Sequence, residues 1–204
     1  MNKIVVVLAV ILSAFAAACS SGSSGNSSST AANTTASNAN SGAVNTAPAK
    51  PDDETPSQVK AAFPDAQSFT TQHKDIPQNS IAEIEKESGG KVPDADHHSY
   101  LAFSTAAGAR KQIGAATVVK VESKELVIVY ENKSGSPYIK EIRAEGVPAT
   151  FLSQFVGKGH DDKFVFGSEI KANGWDESAA KGITTAVKID VLTMQALYGA
   201  AHTH

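Results

Sequence analysis

The chain holds one cysteine, Cys19, which excludes an intramolecular disulfide and any multi-cysteine zinc or iron–sulfur centre. It has no lysine- or arginine-rich run, and a net charge of −3 with a pI near 6.1 leaves no electrostatic footprint for nucleic acid. No nucleophile-elbow pattern anchors its serine, histidine and aspartate residues as a hydrolase. Residues 20–49 lack aromatics altogether and have Val44 as their one branched apolar residue. Such a Ser/Asn/Ala/Thr segment buries too little surface to offset its conformational entropy, so a flexible tether is expected, roughly 30 Å in root-mean-square span. The polar stretch Pro51 to Pro56 closes the tether at residue 56. A single folded domain is expected over 57–199, followed by a frayed tail over 200–204.

The first nineteen residues carry a basic start at Lys3, an apolar run from Ile4 to Ile11 extended through Phe15, and the small residues Ala16, Ala17 and Ala18 before Cys19. Charge, length and small-residue exit are those of a secretory signal, and the run is too short for a comfortable membrane span. The Ala-Ala-Ala-Cys exit resembles a bacterial lipoprotein signal, which implies lipidation of Cys19 and a membrane anchor. Cleavage by an ordinary signal peptidase is the alternative, and on either the mature protein lies outside the cytoplasm. Ser20 after the cysteine resembles lipoproteins sent to an outer membrane.

Within the domain, 58–63 suits a short helical turn before Pro64. Ser80 to Glu83 has capping-box spacing, so a helix carrying Ile81 and Ile84 on its core face is expected to stop at Gly89-Gly90. Four strands are expected over 99–106, 113–121, 125–131 and 138–145. The third alternates Leu126, Ile128 and Tyr130 against Val127 and Val129. Their connectors are short, which forces antiparallel neighbours. The expected class is therefore α+β: an antiparallel meander with flanking N-terminal and C-terminal helices. Thr150 to Val156 suits a short helix capped by Thr150 and burying Phe151, Leu152 and Phe155. Residues 157–163 form a polar loop, and 164–170 return as a strand or extended edge.

The stretch from Gly167 to Gly199 organises the rest. From Thr185, Val187, Val191, Met194 and Tyr198 fall on one helical face, with Lys188, Asp190 and Gln195 on the opposite edge. Thr184 or Thr185 is the expected N-cap and Gly199 the stop. The free N–H groups of a helix start favour an anion such as phosphate, although every helix needs a cap whether or not it binds one.

Phe63-Pro64-Asp65-Ala66, the helix ending Glu87-Ser88-Gly89-Gly90, the Tyr100 strand, Ile113-Gly114-Ala115-Ala116 and the run from Phe151 to Lys158 occur in that order. Together they resemble the extracytoplasmic FMN-binding domains, relatives of the flavin-carrying subunits of Rnf-type and sodium-pumping electron-transport complexes. The resemblance spans about 63–199. It implies FMN joined through its phosphate to a threonine in a Ser-Gly-Ala-Thr type turn just before a helix. One alignment places Ser178-Ala179-Ala180-Lys181 there, replacing the threonine with Lys181, a cationic phosphate partner for non-covalent FMN. A shifted alignment places Gly182-Ile183-Thr184 there and keeps a threonine, with Thr185 beside it.

Trp175, the one tryptophan, precedes this stretch and is either a stacking surface for the flavin ring or a plug at one end of the core. The functional expectation is a lipid-anchored electron carrier or accessory subunit with a redox partner protein in the envelope, more a carrier than a stand-alone enzyme. A flavin-free binding or assembly module of the same fold is the alternative. A metal-binding lipoprotein using His97, His98 and His160 with neighbouring aspartates is a third, although adjacent histidines on a strand point to opposite faces.

Overall fold

Two apolar layers grow from one strand. Along β4 (Lys124–Lys133), Leu126, Ile128 and Tyr130 point to one side and Val127 and Val129 to the other, all at most 2% exposed. A strand that buries both faces needs a cover on each, and the chain supplies them with helices. The computed structural model describes residues 54–106 and 108–200. The expected signal segment, Cys19, most of the tether and residues 201–204 lie outside that range.

In chain order the elements are α1 (Ser57–Ala62), β1 (Ser68–Asp75), α2 (Gln78–Ser88), β2 (Asp96–Ser104), β3 (Lys111–Val121), β4, β5 (Ser136–Ala144), α3 (Ala149–Leu152) running into a 3₁₀ turn (Ser153–Phe155), and α4 (Glu177–Tyr198). The strands form one antiparallel meander in the order β1-β2-β3-β4-β5, so the class is α+β as expected. On one face α4 lays Ile183, Val187, Val191 and Met194 over Leu126, Ile128, Tyr130, Ile139 and Ile142, with Phe151, Phe155 and Phe164 closing the end. On the other, Val59 of α1 and Phe63 just after it cover Tyr100, Ala102, Ala116, Val127 and Val129. A third cluster, Ile76, Ile84 and Ile189, joins α2 to α4. None of the described helices is long and apolar enough to cross a membrane.

Several boundaries differ from expectation. A fifth strand, β1, precedes the four expected ones. Its sequence SFTTQHKD has little apolar alternation because it is an edge strand, where polar and basic residues discourage pairing with another chain. The helix α2 starts at Gln78 after Pro77 with no side-chain cap, so Ser80 lies inside it and the capping box is not formed. It does end at Gly89, whose φ of 71° is the left-handed stop expected. Similarly Pro148, not Thr150, precedes α3, while Phe151, Leu152 and Phe155 are buried as expected. Residues 164–170 form turns with a single bridge between Phe166 and Ile170 rather than a strand.

Candidate functional site

The largest departure is at the start of α4. Ala172 to Trp175 form a tight turn in which Trp175 N donates to Ala172 O at 3.0 Å. Asn173 and Gly174 hold φ of 53° and 84°, the positive pair that an Asn-Gly turn tolerates best. Asp176 follows as N-cap, its Oδ1 accepting from Ala179 N at 2.8 Å. The helix therefore begins at Glu177, two turns before Thr184. Glu177, Ser178, Ala179, Ala180 and Lys181 include good helix formers, and with a strong cap ahead of them they propagate the helix through Gly182.

This corrects the expected N-cap. Thr184 is 2% exposed in the helix interior, and its Oγ1 donates to Ala180 O at 2.7 Å. A phosphoester at that oxygen would require the helix to give up both burial and bond. Ser178 lies exposed in the first turn of α4, Lys181 and Gly182 lie exposed in the second, and Thr185 is half-buried. An anion approaching the start of α4 meets the carboxylates of Asp176 and Glu177, which already fill the favourable field of the helix N-terminus.

Lys181, Thr184 and Thr185 instead line a groove of about 540 Å³ between α4, the end of α2 at Glu87 and Ser88, and residues 163–166. That volume lies in the range of small-ligand sites, roughly 300–1,000 Å³. Three lysines, Lys163, Lys181 and Lys188, line it with one carboxylate, Glu87. Lys188 is committed: its Nζ donates to Glu87 O at 2.9 Å and sits 3.6 Å from Glu87 Oε1, where it satisfies a carbonyl at the α2 C-terminus. Lys163 and Lys181 are exposed and make no ion pair among the described residues. Between them run Phe164, buried and stacked on Phe155 with centroids 6.3 Å apart, the half-buried Phe166, and Val165, which is 45% exposed. Phe164 has φ of 53°, a strained backbone state for a bulky residue that the packing of its ring holds in place.

A second polar cluster pins α4 to the sheet. Asp190 is 7% exposed; its Oδ2 accepts from Thr117 Oγ1 at 2.6 Å and from Tyr130 OH at 2.7 Å, and its Oδ1 lies 3.0 Å from His97 Nε2. Nε2 donates to the carboxylate in the tautomer that suits this network, since the buried Nδ1 finds no partner among the described residues. Asp190 and Lys188, expected on the edge of α4 opposite its apolar face, are both buried: Asp190 against β2, β3 and β4, and Lys188 against the end of α2. Burial, followed by the adjacent Asp190 charge, pushes the Tyr130 phenol well above its ordinary range. The unfolded chain ionises this tyrosine near pH 10 while the folded one holds its proton. Stability is thus complete below about pH 10 and is expected to fall above it by about 1.4 kcal/mol per pH unit for this residue. Urea unfolding measured across that window checks this, and Tyr130→Phe should flatten the slope.

The remaining expected residues do not converge. Trp175 packs on Phe151, centroids 5.2 Å apart, and does not line the groove. His97 and His98 face opposite sides of β2, as their adjacency requires, and His160 pairs with Asp161 at 3.1 Å. Among the described residues the set His97, His98 and His160 does not assemble around one point, which overturns that ligand set. Comparison of the chain with protein-family models, curated proteins and solved structures finds no match.

Proposed function

We propose that the domain binds a flavin mononucleotide non-covalently in the α2–α4 groove and serves electron transfer outside the cytoplasm, as a carrier or accessory subunit held to the envelope by a lipid on Cys19. The observation that carries this is the meeting of Lys163 and Lys181 with the Phe164–Phe166 segment in one groove. A phosphate needs cationic donors, and two lysines without ion-pair partners among the described residues supply them. A planar ring needs apolar surface, which Val165 and Phe166 offer beside the phosphate end. Thr185 lines the same groove, and a threonine hydroxyl can donate to a ligand oxygen. Bound flavin supplies the redox chemistry, while the chain binds and orients it.

The test is a fluorescence titration of the full chain with FMN, with riboflavin as the phosphate-free comparison. FMN is expected to bind more tightly than riboflavin, and Lys163→Glu with Lys181→Glu to weaken FMN by more than about a hundredfold, as expected for losing two charge-assisted contacts. Absence of FMN binding, or equal affinity of wild type and double variant, would reject this reading. The carboxylates of Asp176 and Glu177 at the start of α4 favour the flavin-free module in that event.

A further inference from the structure

The sheet face opposite α4 carries a separate constellation. In the antiparallel register of β1 and β2, His73 lies directly across from His98, and Asp96 precedes His98 by two residues on the same strand face. The imidazole centroids are 4.0 Å apart. Asp96 Oδ2 lies 3.3 Å from His73 Nδ1 and 3.0 Å from His98 Nε2. One donor atom from each of the three residues falls within 4.8 Å of the other two.

We propose that His73, Asp96 and His98 form a binding site for one divalent transition-metal ion of the zinc class, clipping the edge strand β1 to β2. Two imidazoles and a carboxylate are a donor set that suits zinc and its neighbours and disfavours calcium and magnesium, which take oxygen ligands. Around a tetrahedral zinc with bonds of about 2.0–2.1 Å, donor atoms stand about 3.3 Å apart, so the present spacing needs only small side-chain rotations. The three side chains are 37–42% exposed, which leaves a coordination position open to water. Asp75, across from Asp96 in the register, adds negative charge on the same face. The α4 groove is on the other side of the sheet, so this site stands or falls independently of flavin binding.

The experiment is isothermal titration of the full chain with zinc chloride alone, together with thermal unfolding with and without zinc. One zinc per chain is expected, with a raised unfolding midpoint because the ion binds only the folded, paired strands β1 and β2. His98→Ala and His73→Ala should each weaken binding by more than about a hundredfold, beyond what an outer-shell partner contributes, with circular dichroism unchanged. Because the chain ends in His202-Thr203-His204, the variant His202→Ala with His204→Ala is the control, and it should bind as wild type does. Zinc binding lost in the tail variant but kept in His98→Ala overturns the site, as does wild type that binds no zinc.

Discussion

Asp190→Ala is expected to cost about 3–5 kcal/mol of unfolding free energy, the range for removing one partner of a buried charged network. The substitution strands two buried hydroxyls, Thr117 Oγ1 and Tyr130 OH, and removes the acceptor for His97 Nε2. These three groups belong to β3, β4 and β2, so one carboxylate ties the middle of α4 to three neighbouring strands. Domains of this kind are stable by roughly 5–15 kcal/mol, so the loss would leave a marginal fold. Asp190→Asn keeps the size and one acceptor oxygen and should fall between wild type and alanine, at about 1–3 kcal/mol. Guanidinium unfolding of the three proteins decides the matter. A loss below about 1 kcal/mol for the alanine variant would mean that solvent reaches these groups.

That network shows what pattern reading can and cannot see. Alternation along Leu126–Tyr130 revealed β4 and its two faces, because each face is covered by apolar residues at a period of two. The same logic passes over β1, where the edge position favours threonine, glutamine and lysine over an apolar stripe. Helical periodicity located the core face of α4 but not its start: the stripe read from Val187 continues back through Ile183 and Ala180, both 0% exposed, and the chain enters the helix at Asp176 through a cap that depends on one side-chain oxygen. Three threonine or serine caps were expected, at Thr150, Ser80 and Thr184 or Thr185. At the first two a proline supplies the entry and at the third Asp176 does, since a fixed φ or a carboxylate starts a helix as well as a hydroxyl can. Of the groove, Lys181, Thr184 and Thr185 were legible as a polar stretch, but Lys163 joins them only through tertiary packing. His97 with Asp190, and His73 with His98, are 93 and 25 residues apart in sequence, and no local signal pairs them. One hint existed: Asp190 sits between Ile189 and Val191, and a carboxylate inside an apolar helical run requires a partner.

Phe151→Ala should cost about 3–5 kcal/mol, as a fully buried aromatic ring replaced by a methyl leaves a cavity that the neighbours fill only in part. Phe151 is 0% exposed, edge-on to Phe155 with centroids 5.4 Å apart and tilted against Trp175 at 5.2 Å. It thereby joins the short helix α3 to the turn that launches α4. Its loss should also shift the emission of Trp175, the sole tryptophan, to longer wavelength as water reaches the indole. The comparison with Trp175→Phe separates packing from ligand stacking. If Trp175 plugs the core, a phenylalanine there retains most of the contact with Phe151, lowers stability modestly and leaves FMN affinity in the groove unchanged. If the indole were the flavin's stacking surface, the same variant would weaken FMN with little change in unfolding free energy. The first outcome is expected, because Trp175 rests on Phe151 while Lys163, Lys181 and Phe166 line a groove to which it contributes nothing.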